Sequence, residues 1–559
     1  MTREEKKDMR RNRQQQAVQS KANKETQYFW SCVDSRHSPR KKLRENDLFG
    51  VQSKNSGIDF DKYDSIKVEC SDKSIKPLDT FEEILPHIGE DLMRSISRMG
   101  YQKPTPIQKY ALPCGFGSND LMCSAQTGSG KTASFLVPTI SSLLQSSYDG
   151  MEVDMESRGV YPTVVILAPT RELASQIDVE ARKLCYYTPL KPVCIYGGVP
   201  APSQLKELAS SMGGKIILTA TPGRLNDFLQ RGIIFLSKVT HLILDEADRM
   251  LDMGFEPQVR QIVQKRDMPP PNSRTTFMFS ATFPSEIQKL AKDFLRSGYV
   301  WIAVGRVGST TDTITQRLLL ASSDRSKKLS LLEDQLKSVD GRTLVFVRMK
   351  RTASQVKKKL KRDFGIEACE IHGDRSQSQR ESALDSFRKG NTLVLIATNV
   401  AARGLDIPEV THVINFDLPV AKADFDEYVH RIGRTGRAGH RGLATSFYVP
   451  GFDPKQGNGT IAPDLLKLLH DGKQEIPDWF LALPEVPSKS FGRPNNNGAQ
   501  RQTDHRANAS KGGTRGGRGN ARGGRGRGRG SSSSNRGRGA PKRHSEDPPN
   551  APPASRMRT

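Results

Sequence analysis

Two short blocks carry the chemistry of this chain. Residues 125–132 read Ala-Gln-Thr-Gly-Ser-Gly-Lys-Thr, and residues 245–248 read Asp-Glu-Ala-Asp. In the first block Ala125, Gln126, Thr127, Gly128, Ser129 and Gly130 form a loop of small residues, where backbone N–H groups can approach phosphate oxygens. Lys131 adds a positive charge for the β- and γ-phosphates, and the Thr132 hydroxyl can ligate Mg²⁺. Ala125 stands where the general pattern has its first glycine. In the second block Asp245 can hold Mg²⁺, often through water. Its neighbour Glu246 can orient or deprotonate an attacking water. The two blocks together imply hydrolysis of a nucleoside triphosphate.

Such residues work only if rigid elements place them. Asp120–Ser124 is a short apolar run that suits a buried parallel strand, and Ala133–Leu144 reads as a helix, so the loop lies between a strand and a helix N-terminus. Thr240–Leu244 is a second buried-strand run and ends directly on Asp245, where open α/β sheets bind their ligands. Strand-like runs recur at 342–347, 392–397 and 412–416, alternating with helical patterns. That alternation predicts a second parallel α/β domain.

Further motifs surround these blocks. Gly100-Tyr101-Gln102-Lys103-Pro104-Thr105-Pro106-Ile107-Gln108 precedes the loop. Gln108 offers a donor and an acceptor for an adenine edge, and Tyr101 a face for stacking. Ala168-Pro169-Thr170-Arg171-Glu172-Leu173, the pair Gly197-Gly198, and Thr219-Ala220-Thr221-Pro222-Gly223-Arg224 combine small residues, hydroxyls and an arginine. That chemistry grips a sugar-phosphate backbone without reading bases. Ser280-Ala281-Thr282 follows, then Gln377 and Arg380, Thr398–Asp406, and His430-Arg431-Ile432-Gly433-Arg434-Thr435-Gly436-Arg437. Three arginines spaced by glycines are costly to bury unless they meet anions.

In this order, over about residues 45–490, the motifs resemble those of the DEAD-box RNA helicases. The resemblance implies two tandem RecA-like parallel-sheet domains with disordered basic N- and C-terminal tails. It implies ATP and Mg²⁺ as cofactors and single-stranded or short duplex RNA as partner. It assigns ATP binding to Phe81, Tyr101, Lys103, Gln108, residues 125–132, Gly404 and Asp406. RNA contacts fall to Pro169, Thr170, Arg171, Gly197, Gly198, Thr221, Arg224, Gln377, Arg380 and Thr398. Arg348, where relatives commonly carry a different motif, is a further phosphate contact on this reading. Ser280, Ala281, Thr282, Asp248 and His430 would couple the two sites. Arg434 and Arg437 would reach the γ-phosphate as arginine fingers, completing a catalytic set with Lys131, Asp245 and Glu246, with Thr132 and Asp245 on the metal. Asn399 stands where many relatives have an acid. An arginine finger is worth on the order of 10³–10⁵ in rate, so hydrolysis is expected to wait for RNA to close the domains. The RNA path of the family bends one strand, which implies local separation of short duplexes without processive translocation.

Composition agrees. No apolar run approaches 18 residues, the N-terminus lacks a signal-peptide core, and the 7 cysteines show no Cys-x-x-Cys spacing. No membrane span is expected, and the thiols read as reduced core residues. The net charge is +25, but residues 1–44 carry 13 Lys/Arg against 5 Asp/Glu, and residues 491–559 carry 16 against 3. The body is nearly balanced, and the tails hold the basicity. The C-terminal tail repeats Arg-Gly over 515–530 and has Phe491 as its one aromatic. Such a segment cannot bury a core, and it suits sequence-tolerant RNA binding. Residues 1–27 are charged and glutamine-rich, compatible with helix but expected to be disordered in isolation. Tyr28-Phe29-Trp30 could dock a partner or pack back on the body.

The expected divisions are a basic tail (1–44), a lead-in (45–80), a first domain (81–303), a linker (304–314), a second domain (315–452), an extension (453–490) and an Arg/Gly-rich tail (491–559). Segments 58–69, 305–310 and 464–469 with 474–479 are similar to those of the Ded/Vasa-like branch. That likeness implies a cytoplasmic helicase acting on messenger RNA at translation initiation, with initiation factors and ribonucleoprotein-granule components as partners. A germline role of Vasa type is the near alternative. A different class also stays open, an RNA-binding scaffold whose ATPase times release.

Overall fold

The computed structural model describes residues 3–35, 44–50, 66–117, 119–125, 129–146, 159–283, 285–305, 314–399, 410–436, 441–453 and 455–486. Two sheets organise them. The first holds β1 (Val68–Cys70), β2 (Leu121–Ser124), β3 (Val164–Leu167), β4 (Lys191–Ile195), β5 (Ile216–Ala220), β6 (His241–Leu244), β7 (Thr275–Ser280) and β8 (Val300–Val304). Their spatial order is β1-β8-β2-β7-β6-β3-β5-β4. The strands from β2 to β8 pair in parallel, and only β1 runs antiparallel, with Val68 opposite Val304.

The second sheet holds β9 (Ile314–Leu320), β10 (Arg342–Val347), β11 (Ala368–Ile371), β12 (Val394–Thr398), β13 (Val410–Asn415) and β14 (Gly442–Tyr448), in the order β11-β12-β10-β13-β14-β9. Every pair in it is parallel. Parallel strands are covered on both faces, so they read as continuous apolar runs. Val-Val-Ile-Leu in β3 and Leu-Met-Cys-Ser in β2 are buried at every position. The two tandem RecA-like domains inferred from sequence are therefore the fold. The expected runs lie within two residues of the observed strands. Two departures are physical. Leu393 is half-exposed, and β12 starts after it. Asp120 precedes β2 as a buried acid, accepting from Thr276 N at 2.9 Å and from Arg296 N at 2.8 Å, and pairing with Arg296 Nη2 at 2.8 Å. It pins the strand that leads to the phosphate loop.

Each face of the first sheet has its own core, one around Phe135, Leu136 and Ile166, the other around Phe228, Leu242 and Phe294. The N-terminal segment belongs to the second of these. Residues 3–34 form a helix, Arg3–Asp34, that packs against the helix Pro202–Ser211. Phe29 is fully buried, Cys32 nearly so, and Glu25 pairs with Arg231 at 2.7 Å. Of the two readings of Tyr28-Phe29-Trp30, packing on the body is the one observed. The lead-in contributes β1 as an edge strand. The C-terminal extension lays the helices Ala462–Asp471 and Asp478–Leu481 on the second domain, burying Leu465, Leu469 and Phe480 beside Tyr448. Within the described residues no helix is long and apolar enough to cross a membrane. The seven cysteines are unpaired, and six are buried. Residues 58–65, the linker from 306 to 313 and the tail 491–559 lie outside the described residues.

Candidate active site

β2 ends at Ser124, and the helix Lys131–Gln145 begins seven positions on, so strand and helix hold the loop as the sequence requires. Gly130 caps that helix with φ +88, a left-handed conformation that costs glycine least. A Cβ there would lie 2.6 Å from Gln108 Nε2 and 2.9 Å from Thr105 Oγ1. The crowding has a purpose. Thr105 Oγ1 donates to Ser129 O at 2.6 Å, and Gln108 Nε2 donates to Gly130 O at 3.1 Å. Gln108 Oε1 accepts from Thr105 N at 2.9 Å, closing a capping box on the helix Pro106–Phe116. The glutamine expected to read adenine thus also buttresses the phosphate loop. One N–H and one lone pair of its amide remain for a ligand.

Lys131 is buried, and its Nζ donates to Ala125 O at 2.9 Å, lying back across the loop. Thr132 follows in the first turn of the helix. Gln126, Thr127 and Gly128 lie outside the described residues. Phe81 is buried in the core with its ring stacked on Tyr101, centroids 5.8 Å apart. The Tyr101 hydroxyl donates to Glu180 at 2.6 Å. Burial, and then the Glu180 charge, raise the Tyr101 pKa well above that of a free phenol. Lys103 is exposed nearby.

β6 delivers the acid pair. Asp245 N donates to Leu167 O at 3.0 Å, and Asp245 Oδ1 accepts from Glu246 N at 3.0 Å. Both carboxylates are buried. Burial pushes the Asp245 carboxyl up to about 7, with Lys131 opposing. Burial also pushes Glu246 upward, but Arg249, Arg434 and Lys131 outweigh it and hold the carboxyl below its ordinary range. Glu246 also has φ +51, one of two described non-glycine residues with positive φ. Its backbone is strained at the point where chemistry is expected.

The donor set suits a hard cation. Asp245 and the Thr132 hydroxyl offer oxygen donors, the type such an ion takes. Among the described residues no three His, Cys, Asp or Glu groups gather as a complete metal cage. A magnesium site here would share its ligands with nucleotide phosphates, as this ion prefers.

The second domain closes over this centre. Arg434 is buried and counts among the charges that hold Glu246 ionised. Asp248 Oδ2 accepts from Ala281 N at 3.0 Å, Thr282 N at 2.9 Å and Thr282 Oγ1 at 3.0 Å. His430 Nε2 lies 3.9 Å from the same oxygen. Burial, then Arg249, depress the His430 pKa well below its usual value, so the imidazole is neutral at physiological pH. One carboxylate oxygen thus gathers the segment after β7 and a histidine of the second domain. Ser280 is buried at the end of β7. Asn399 donates through Nδ2 to Glu427 on the helix Phe425–Ile432. Gly404, Asp406 and Arg437 lie outside the described residues.

A second convergence spans the domains. Arg171 Nη1 donates to Gln377 Oε1 at 3.2 Å, and Arg380 Nη2 pairs with Glu172 at 2.6 Å. Gly198, φ +78, lies against Arg171, and a Cβ there would come within 1.9 Å of its guanidinium. Pro169 is buried, and Thr170 caps the helix Arg171–Leu184 by accepting from Leu173 N at 3.3 Å. Thr221 Oγ1 accepts from Gly197 N at 3.3 Å, and Arg224 Nη2 donates to Val199 O at 2.9 Å. Thr398 is buried at the end of β12. Arg348 stands apart from these residues. It lines a cavity of about 250 Å³ with Arg325, Lys328 and Lys455 at the carboxyl ends of β10, β13 and β14.

Several working residues were not assigned from sequence. Thr105 was legible, because Thr-x-x-Gln before an apolar helix is a capping-box signature. Glu172, Glu180 and Gln204 were not, since their partners Arg380, Tyr101 and Arg224 are distant in the chain.

Two parallel-sheet domains with a phosphate loop and an acid pair on one, and Arg434 of the other beside the acid pair, define a nucleoside triphosphatase. Comparison with known proteins agrees. Residues 105–290 match the DEAD/DEAH box helicase family, and residues 327–439 match the helicase conserved C-terminal domain. Among solved structures the chain is similar to a variant of S. cerevisiae Dbp5 bound to Gle1 and IP6. Identity is 30% over 72% of this chain and 96% of that one, with TM-score 0.55. Dbp5 bound to RNA and ADP BeF3 is similar at 28% identity over 72% and 95%, TM-score 0.57. The DEAD-box helicase Mss116 bound to ssRNA and UDP-BeF is similar at 26% identity over 73% and 82%, TM-score 0.60. The chain belongs to the DEAD-box family of ATP-dependent RNA helicases.

Proposed function

We propose that this helicase couples RNA-stimulated ATP hydrolysis to local, non-processive separation of short RNA duplexes. The observation that carries the reading is the double convergence of the two domains. Arg434 faces Glu246 on one side, and Gln377 and Arg380 reach Arg171 and Glu172 on the other. Residues assigned to the ATP site and residues assigned to the RNA path are thus joined by the same closure. The similar structures of Dbp5 and Mss116 hold RNA and a nucleotide analogue, which supports the same pairing of ligands here.

In this mechanism the phosphate loop and Lys131 bind the triphosphate, while Gln108 fixes the loop and faces the base. Thr132 and Asp245 would hold Mg²⁺, which would supply charge neutralisation at the phosphates. Glu246 accepts the proton of the attacking water, and Arg434 stabilises the charge that develops on the transferring group. Asp248 and His430 carry the state of one domain to the other.

On the branch likeness, the RNA is messenger RNA, and the setting is cytoplasmic remodelling at translation initiation. The alternative is a ribonucleoprotein scaffold, favoured by the basic tails alone. Steady-state hydrolysis by the full chain decides, measured with single-stranded RNA, matched DNA and neither. Stimulation by RNA alone, abolished in Lys131→Ala, is the expected result. Equal rates in all three would favour the scaffold.

A further inference from the structure

Arg249 is a charged side chain at the acid pair that has no part in the reaction as described. It sits on the short helix Ala247–Asp252, three residues past Glu246, and is only 1% exposed. Its Nη1 lies 3.4 Å from Glu246 Oε2 as an ion pair, and neither atom has a hydrogen-bond partner. Its other side faces a cavity of about 20 Å³ bounded by Phe346, Asn399, Glu427, His430, Arg431 and Arg434. All six belong to the second domain.

A buried guanidinium is costly unless an anion meets it. The anion in contact is the carboxylate that the proposed mechanism uses as base. That carboxylate grows from a strained backbone, so its helix alone does not set its direction. We infer that Arg249 is a positioning residue for hydrolysis: it fixes the Glu246 carboxylate at a surface that the second domain completes, so the base is aligned when the domains meet. The inference rests on the reading of Glu246 as the group that handles the attacking water. It requires Arg249 to matter for the chemical step and not for holding either ligand.

The test compares the full-length protein with Arg249→Gln and Arg249→Lys. The readouts are kcat and KM for ATP at saturating single-stranded RNA, and RNA affinity in a non-hydrolysable ATP analogue. In Arg249→Gln, kcat is expected to fall about tenfold or more, with KM and RNA affinity within about threefold of wild type. Arg249→Lys, which keeps the charge but not the planar fork, is expected to recover part of the lost rate. A wild-type kcat in Arg249→Gln overturns the inference. So does a parallel loss of kcat, KM and RNA affinity, which marks a merely structural arginine. If the Gln variant does not fold, the Lys variant decides: a several-fold lower kcat at unchanged KM supports the inference, and a wild-type kcat overturns it. A wild-type protein without RNA-stimulated hydrolysis would fail the underlying reading of the acid pair, and that outcome is separate from any behaviour of the variants.

Discussion

At the scale of single residues, crowding and burial decide most outcomes. Gly130 has no room for a side chain against Gln108 and Thr105 and sits at positive φ. Gly130→Ala is therefore expected to destabilise the first domain by about 1–3 kcal/mol and to weaken nucleotide binding. Denaturant melts and nucleotide titration check both. Two histidines set a pH dependence. Burial lowers His241 to about 4, and burial together with the Arg317 charge lowers His412 to about 4. Both are neutral in the folded protein where an unfolded histidine, with a pKa of about 6.5, is already charged. Their contribution is complete above about pH 6.5 and is lost as pH falls towards 4, by roughly 3 kcal/mol each. The unfolding free energy should rise across that window, and His412→Asn should flatten the rise. A flat profile in the wild type would contradict the burial of both rings. The site was legible at this scale where chemistry is local. Lys131, Asp245 and Glu246 declare themselves by type and spacing. Arg249 does not, because an arginine early in a helix ordinarily faces water, and its burial beside Glu246 and residues of the second domain is visible only in the folded structure.

At the scale of elements, the parallel strands were readable because double-sided burial leaves no polar face to confuse the period. Their pairing order and the interdomain contacts were not, since Arg171 and Gln377 lie 206 positions apart. The N-terminal helix was the least legible element. Its mean composition is polar, and a few large residues near its end attach it. Phe29→Ala should remove about 3–5 kcal/mol of packing at that contact. Limited proteolysis of the variant is expected to cut within Arg3–Asp34 and leave both domains whole. Resistance equal to wild type would show that Glu25–Arg231 and the remaining contacts suffice. A fragment beginning at residue 45 would strip the same anchor, so activity is best measured on the full chain. The helix it packs against, Pro202–Ser211, carries Gln204, which holds Tyr196 and Arg224 in place. The N-terminus thus braces the support of the expected RNA grip.

At the scale of the whole molecule, charge and catalysis occupy different regions. The body is nearly neutral, and residues 491–559 carry 16 Lys/Arg against 3 Asp/Glu. Removing 491–559 is expected to weaken RNA binding and to flatten its dependence on salt, while short-duplex unwinding survives. Loss of RNA-stimulated hydrolysis in that truncation would instead assign RNA capture to the tail. The three-residue strand β1 carries a last consequence. Among the described residues it pairs only with β8, more than 200 residues later in the chain. The strand that leads to the phosphate loop, β2, also borders β8. At ribosomal speeds of about 5–20 residues per second, the interval is on the order of tens of seconds. During synthesis, then, the nascent first domain waits with an open sheet edge at the strand that leads to the loop, and the late strand β8 closes that edge to stray pairing.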